Sequence, residues 1–110
     1  MEQYEVRMTE KAYGSLRDIA RHIAYNLMSP QTAVKTINYI RNELSKLDSM
    51  PSRIPLVNEE PWSSEGIHKM IIKKYIAYFI INEDQNIVNV LYVAYGRKEQ
   101  KNILRDIADQ

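Results

Sequence analysis

Three absences narrow what this chain can do. It has no cysteine, which excludes a disulfide framework and any metal site built from cysteine. Its three glycines are too few and too scattered for a phosphate-cradling loop or a dinucleotide fingerprint. No uninterrupted apolar run approaches membrane-spanning length, and Met1–Glu5 is acidic and polar, unlike the start of a signal peptide. We therefore expect a soluble, cytoplasmic protein that does not enter a membrane.

Metal ligands are also scarce. The two histidines, His22 and His68, lie far apart in the sequence. The adjacent carboxylates Glu59-Glu60 and Glu83-Asp84 are interpreted as solvated pairs, the second of them in a turn. None of these groups has the ligand spacing of a zinc or calcium site. We expect neither a metal ion nor another cofactor, so any chemistry must come from ordinary side chains.

The length and charge of the chain indicate one domain with a mild basic bias at one end. A chain of 110 residues supports a single modest core, so we treat 1–110 as one domain. Residues 1–65 hold 8 basic and 9 acidic groups, whereas residues 66–110 hold 7 basic and 5 acidic groups. This excess permits phosphate binding without requiring it.

Two helices are predicted in the first half of the chain. Thr9 and Glu10 form a typical helix start. Apolar residues then recur at the spacing of one helical face, at Leu16, Ile19, Ala20, Ile23 and Leu27. Ser29-Pro30 starts a second helix that Pro51 stops, and a connection this short predicts an antiparallel helical hairpin. The stretch 50–65 is expected to be irregular.

Four strands complete the predicted fold. Tyr4–Met8 alternates apolar and polar residues, which predicts a short strand. Runs rich in Ile, Val and Tyr predict strands over 67–73, 75–82 and 87–95, and residues 98–106 have helical character. The fold class is α+β, in the order β-α-α-β-β-β. We expect a helical hairpin on one face of a small, mostly antiparallel sheet, plus a short C-terminal helical segment.

Cationic side chains occur near both ends of this sheet. Lys69 and Lys73 alternate along the second strand and are expected on one face, while Arg97 and Lys98 follow the last strand. If the strands pair as a meander, these groups converge near one end of the sheet. Two interpretations are open: lysines on an edge strand can guard against aggregation, or a basic sheet end with exposed tyrosines can bind nucleic acid.

His68 is the candidate for proton transfer. It lies beside Lys69 in the second strand, where it could point to the open face near Arg97, although an isolated strand histidine more often has no catalytic role. Metal-free RNA cleavage needs few groups. The ribose 2′-OH attacks its own phosphate, cations stabilise the phosphorane and one group handles protons. Arginine suits the cationic role because its planar donors match phosphate oxygens.

The order of motifs resembles the RelE/ParE superfamily of bacterial toxins from type II toxin–antitoxin modules. The similarity begins at the strand Tyr4–Met8 and the following Thr9-Glu-Lys-Ala, and it continues through the Ser-Pro helix start. Its signature lies in Gly66–Tyr78 and in Val90–Lys98. Family members similarly have a glycine and a basic position, then spaced tyrosines, then a strand ending in an aromatic residue or histidine, glycine and arginine.

The resemblance implies a toxin fold, a cognate antitoxin encoded by an adjacent gene, and one of two activities. One branch cleaves mRNA on the ribosome without a metal, and the other poisons DNA gyrase. Lys69 matches a basic position of the nuclease branch and Arg97 matches its phosphate-binding arginine, so the predicted catalytic set is Lys69, Arg97 and His68. The residues predicted to bind RNA are Lys73, Lys74, Tyr95, Lys98 and Lys101.

Three departures from the nuclease pattern keep other activities open. Ile76 stands where many nucleases have a second arginine, and Ile103 or Leu104 stands where some have a tyrosine in the tail. His68 occupies a position often held by arginine. The long, matched helices are also similar to the gyrase-poisoning branch. We favour an mRNA endonuclease at this stage, with a gyrase inhibitor or an inactive binding protein as alternatives.

Overall fold

The computed structural model describes residues 3–96 and 100–108, with three helices and four strands in these ranges. The helices are α1 (Glu10–Arg21), α2 (Pro30–Ser45) and α3 (Gln100–Ala108). The strands are β1 (Glu5–Met8), β2 (His68–Ile72), β3 (Tyr75–Asn82) and β4 (Ile87–Tyr95). The sheet order is β1-β4-β3-β2, with β1 parallel to β4 and the other neighbours antiparallel. The predicted α+β fold with its mostly antiparallel sheet is confirmed.

Both helix starts follow from local chemistry. The Thr9 side chain accepts a hydrogen bond of 3.1 Å from the Ala12 N–H, as a helix N-cap does. Pro30 is the first residue of α2, where its fixed backbone angle fits and its missing N–H costs nothing. The Ser29 hydroxyl, however, donates to the Thr32 hydroxyl at 2.6 Å instead of capping a backbone N–H.

The end of α1 departs from the predicted periodicity. Residues His22–Asn26 form a π-helical turn, and an extra residue per turn rotates everything that follows. Leu16 and Ile23 are buried as expected, but Leu27 is 61% exposed. The predicted stripe is therefore correct up to the π turn and wrong at Leu27.

The helical hairpin covers one face of the sheet and encloses the larger core. Its buried members include Leu16 of α1, Leu44 of α2, and Phe79 of β3. The opposite face carries a second, smaller core, formed mainly by α3 and by the segment that precedes β2; this core comprises Val57, Ile67, Tyr78, Ala94, Ile103, Leu104 and Ile107. The sequence predicted the first of these layers but not that the second face is also covered.

The segment between α2 and β2 contains short 3₁₀ turns at Lys46–Asp48 and Pro51–Arg53 but no long helix or strand. Its end lies along the edge strand, where the Lys69 N–H donates to the Pro55 carbonyl at 3.0 Å and the Val57 N–H donates to the Ile67 carbonyl at 2.9 Å. This contact covers part of the free edge of β2, which would otherwise be open to pairing with other chains.

Candidate functional site

The three predicted catalytic residues are not brought together by the described part of the fold. Lys69 is paired with Tyr78, a member of the smaller core, and therefore lies on the α3 face of the sheet. His68 precedes it in the same strand and lies on the hairpin face, because successive strand residues point to opposite sides. Arg97 lies outside the described residues.

His68 does not point to an open surface as predicted. Its ring stacks on Phe79, with the two ring centroids 4.9 Å apart and the planes 8° from parallel. Its Nδ1 lies 2.7 Å from the Ile54 carbonyl oxygen. Because a carbonyl can only accept, Nδ1 carries the hydrogen in this bond. The partly buried ring therefore links β2 to the segment before it, which is a structural role.

Lys73 also differs from its predicted place. Strand β2 ends at Ile72, and Lys73 occupies the tight turn to β3 with a positive φ of 55°. Its ammonium lies 4.1 Å from the centre of the Tyr39 ring on α2, a cation–π geometry. Lys73 consequently leans toward the hairpin, and it does not share a face with Lys69.

Lys74 and Tyr95, both predicted to bind RNA, are brought together by the structure. They line a cleft of about 780 Å³ between the hairpin and the end of the sheet. The remaining polar and aromatic lining residues are Ser15, Asp18, His22, Thr32, Thr36, Tyr75 and Tyr92. The rings of Tyr75 and Tyr95 meet edge to face, with centroids 5.9 Å apart. Lys98 lies outside the described residues, and only the backbone of Lys101 is described.

Sequence reasoning missed Asp18 and His22 as cleft residues and placed both on a solvated helix side. Their spacing of four residues does put them on one face of α1 and its π turn, beside the apolar Ile19 and Ile23. That spacing alone could not reveal the cleft, because the opposing wall comes from the distant strand β4.

The two glycines of the signature stretches have identifiable roles. Gly66 has a φ of +85°, a left-handed conformation that favours glycine, just before β2 begins. Gly96 donates its N–H to the Lys74 carbonyl at 2.7 Å, and a Cβ at this position would lie only 3.0 Å from that oxygen. Gly96 therefore allows the end of β4 to approach the β2–β3 turn closely, directly before Arg97 in the sequence.

A polar network lies beneath α3. The Tyr78 hydroxyl donates to Gln100 Oε1 at 3.5 Å, and Gln100 Nε2 donates to Glu59 Oε1 at 2.7 Å. Burial, with a smaller effect from Glu59, raises the pKa of Tyr78 to about 12. The second carboxylate oxygen of Glu59 is buried and has no hydrogen-bond partner among the described residues. Glu59, predicted to be solvated, is instead part of the contact that holds α3.

Tyrosines in the cleft are also perturbed. Burial raises the pKa of Tyr75, with a smaller contribution from Tyr95. Burial also raises the pKa of Tyr92, and the nearby carboxylates of Asp18 and Asp106 add to the effect. Both hydroxyls therefore stay protonated at neutral pH, so they can donate hydrogen bonds but are poor general bases.

The outer surface of the hairpin carries an apolar groove of about 530 Å³. Its floor consists of small and apolar residues of both helices, namely Ala20, Ala24, Tyr25, Pro30, Ala33, Val34 and Ile37. Arg17 and Arg21 line it on the α1 side. Val34 is 60% exposed and Tyr25 is 74% exposed, so the groove presents a contiguous apolar surface to a partner.

Neither a cluster of metal ligands nor a membrane-spanning helix occurs within the described ranges. There, no three His, Asp or Glu side chains are grouped closely enough to hold a metal ion. No helix in the same residues is long and apolar enough to cross a membrane.

Comparison with solved structures supports the fold. The chromosomal ParDE system from P. aeruginosa aligns with a TM-score of 0.70 at 19% identity, covering 84% of this chain and 96% of that chain. A mutant of the E. coli toxin RelE in the free state aligns with a TM-score of 0.64 at 14% identity, covering 97% and 96%. The RelBE2 toxin–antitoxin complex from Mycobacterium tuberculosis aligns at 0.61 and 19% identity, covering 86% and 93%.

Sequence comparison identifies the family. No curated protein matches this chain in a sequence search. The model of the family described as "ParE toxin of type II toxin-antitoxin system, parDE" matches residues 6–100, nearly the whole chain. The chain belongs to the ParE toxin family of type II toxin–antitoxin systems.

Proposed function

We propose that this toxin arrests growth by binding DNA gyrase rather than by cutting mRNA. One observation carries the proposal: His68 and Lys69 lie on opposite faces of the sheet, with the His68 ring stacked on Phe79. Metal-free RNA cleavage requires a cation and a proton-transfer group at the same phosphate. Two groups on opposite sides of a sheet do not meet this requirement. The family resemblance offers gyrase as the alternative target.

The hairpin groove supports a protein target. Its apolar floor, including the exposed Val34, suits contact with another protein more than contact with RNA phosphates. Arg17 and Arg21 beside it add positive charge that can steer an acidic partner. We assign the groove on α1 and α2 as the surface that binds gyrase.

The mRNA endonuclease remains a second candidate, with Lys69 and Arg97 as its catalytic cations. It is favoured by the meeting of Lys74 and Tyr95 in one cleft, since a cation beside an aromatic ring is a common nucleic-acid contact. In this candidate, Lys73, Lys98 and Lys101 would supply further phosphate contacts. His68 would not carry the proton, because its ring is stacked on Phe79 on the face of the sheet opposite Lys69.

A cognate antitoxin is part of the proposal. Two of the similar structures above are toxin–antitoxin complexes. We infer that a small, net-acidic protein encoded next to this gene binds the toxin and suppresses its effect. Co-purification of that protein with the tagged toxin, and normal colony formation on co-expression, are the expected results. Its absence from the flanking DNA would contradict the inference.

The test compares two activities of the purified toxin side by side. We expect inhibition of gyrase supercoiling and no cleavage of mRNA on programmed ribosomes. Val34→Asp should raise the toxin concentration needed for inhibition at least about tenfold, because a charge would be buried in the contact. Ile71→Asp is the matched control, because Ile71 is also an exposed β-branched apolar residue and lies on the α3 face of the sheet, away from the hairpin.

Two results would contradict the proposal. Ribosome-dependent mRNA cleavage with unaffected supercoiling would favour the second candidate. Loss of gyrase inhibition in Ile71→Asp, with full inhibition in Val34→Asp, would move the acting surface from the hairpin to the sheet. Thermal melts of both variants ensure that folding is not the cause.

A further inference from the structure

A pocket of about 510 Å³ lies between α2 and the turn that joins β2 to β3. Three lysines line it, Lys35 from the helix and Lys73 and Lys74 from the turn. Among the described residues, no carboxylate lines the pocket and none of the three lysines forms an ion pair. The pocket therefore concentrates positive charge that the described part of the chain leaves unpaired.

The backbone of the turn directs one of these charges toward the helix. Lys73 has a φ of 55°, a left-handed conformation that glycine adopts more easily than lysine does. Its ammonium lies 4.1 Å from the centre of the Tyr39 ring, and Lys35 lies one helical turn before Tyr39 on the same face of α2. Backbone conformations of this kind cluster at functional sites. A lysine in this strained position is therefore a candidate binding residue.

We propose that this pocket binds an acidic segment of the antitoxin, whose Asp or Glu side chains pair with the three lysines. The inference rests on the antitoxin part of the proposed function and adds the place of contact. No residue of the pocket lines the hairpin groove assigned to gyrase. An extended segment presents alternate side chains on one side about 7 Å apart, so a single segment can reach lysines on both walls of the pocket.

The aromatic residues of the pocket suit an acidic peptide better than RNA. Surfaces that bind single-stranded nucleic acid stack its bases on open aromatic rings. Here one face of the Tyr39 ring is covered by the Lys73 ammonium, and Tyr75 is buried with its ring edge to face against Tyr95. No arginine lines the pocket in the described part of the chain, and arginine is the residue whose planar fork matches phosphate oxygens. The pocket thus offers charge with little stacking surface.

A segment seated in this pocket would also hinder access to the gyrase surface. Lys35 directly follows Val34 in α2, and Val34 lines the hairpin groove. An antitoxin that pairs with Lys35 therefore lies beside that groove. Complementary charge mainly raises the rate of association, so the three lysines would speed capture of the toxin by its antitoxin.

The experiment is an NMR titration of the ¹⁵N-labelled full chain with a synthetic hexaglutamate peptide. We expect saturable shifts centred on the amides of Lys35, Lys73 and Lys74. Replacing both turn lysines by Gln should weaken binding about tenfold, and Lys35→Gln should weaken it about threefold, because each exposed ion pair contributes modestly. Lys46→Gln is the matched control, since that exposed lysine pairs with Glu43 at the far end of α2 and does not line the pocket. It should change the affinity by less than about twofold.

A second arm uses the protein encoded next to this gene. The variant with both turn lysines replaced by Gln should associate with that protein about tenfold more slowly than the wild type, with a smaller change in the dissociation rate. An unchanged association rate would overturn the proposal. Neither arm contains gyrase, so a failure here is read separately from a failure of the supercoiling assay.

Rival ligands are tested at the same amides. Tighter binding of hexauridylate than of hexaglutamate would overturn the proposal in favour of RNA, and tighter binding of inorganic pyrophosphate would overturn it in favour of a free phosphate compound. Shifts centred on Arg17 and Arg21 would place the acidic contact in the hairpin groove instead. Equal weakening by Lys35→Gln and Lys46→Gln would reduce the effect to general charge attraction and would also overturn the proposal.

Discussion

The two faces of the sheet are covered very differently. The hairpin face packs against α1 and α2, and among the described residues its core contains 13 buried residues, whereas the core on the α3 face contains 7. The first layer consists of two long helices, α1 and α2, which follow β1 in the first half of the chain. The second consists of nine-residue α3 and an irregular segment. The hairpin face therefore supplies most of the apolar burial that stabilises the fold.

The difference extends to polar groups. On the hairpin face, Ser15 is buried, and its hydroxyl both donates to the Ala12 carbonyl and accepts from the Val93 N–H. The α3 face contains the Tyr78–Gln100–Glu59 network, in which one carboxylate oxygen has no partner among the described residues. A thin layer with an incompletely satisfied network opens at lower free energy than a full core. Paired substitutions on the two faces test this contrast.

The largest expected difference is in the free energy of unfolding, when one buried leucine on each face is replaced by alanine. Leu44→Ala removes a buried side chain beneath α2, and Leu104→Ala removes one beneath α3. We expect Leu44→Ala to cost about 4 kcal/mol and Leu104→Ala about 2 kcal/mol, because α3 can detach without unfolding the sheet. Urea unfolding followed by circular dichroism measures both. Equal losses would show that the two layers form one cooperative unit.

The hydrogen bond between the Val93 N–H and the Ser15 hydroxyl is expected to stabilise the hairpin face. Ser15→Ala leaves the Val93 N–H buried without an acceptor, so we expect a loss of about 2 kcal/mol. Ser45→Ala is the matched control, since Ser45 makes the same bond to the carbonyl three residues earlier but is exposed. It should change the free energy of unfolding by less than about 0.5 kcal/mol. Similar values for the two variants would contradict a stabilising hydrogen bond between the Val93 N–H and the Ser15 hydroxyl.

Alkaline pH should loosen the α3 face. The pKa of Tyr78 is raised from 10.0 to about 12 in the folded protein, so the unfolded chain loses this proton first as the pH rises. The stabilisation is complete below pH 10 and is lost between pH 10 and about 12. The loss should be up to about 2 kcal/mol. Tyr78→Phe should reduce it, leaving only the smaller effects of Tyr75 and Tyr92, whose pKa values are also raised.

Thermal melts across this pH range measure the effect. The wild-type melting temperature should fall more steeply above pH 10 than that of Tyr78→Phe. Parallel curves for the two proteins would mean that Tyr78 ionises equally in the folded and the unfolded chain. That result would contradict the effect of burial on its pKa.

The smallest stability effect is expected on the open part of the α3 face. Lys69→Ala should change the free energy of unfolding by less than about 0.5 kcal/mol, since Lys69 makes no ion pair within the described ranges. Its activity separates the two candidate functions. The gyrase proposal predicts that Lys69→Ala inhibits supercoiling as strongly as the wild type. If Lys69 is catalytic, the variant should instead lose about 3 kcal/mol of transition-state stabilisation in mRNA cleavage.

Local signals predicted most of the fold. Thr9 and Pro30 mark both helix starts, and the Ile- and Val-rich runs predicted β3 at 75–82 and β4 at 87–95 with their observed bounds. Such signals work because caps and side-chain alternation depend on neighbouring residues. The π turn at His22–Asn26 was not predicted in this way, because no local signal in the sequence marks where a helix takes an extra residue.

The candidate site was less predictable for a related reason. Lys73 sits one residue past the end of β2, and this single step moves its side chain from the sheet to Tyr39. The position of His68 depends on Ile54, fourteen residues earlier, and no local pattern indicates that contact. Lys74 and Tyr95 line one cleft because β4 pairs with β3 opposite Tyr75 and Gly96 then bonds to the Lys74 carbonyl, contacts that join residues about twenty positions apart.

The central claim, that the toxin acts on gyrase, is tested most directly by the topology of a reporter plasmid in cells after induction. We predict that plasmids lose negative supercoils or become linear before translation falls, with reporter transcripts still intact. Expression of the antitoxin should restore normal supercoiling. Normally supercoiled plasmid in growth-arrested cells, together with transcripts cut within codons, would contradict the account.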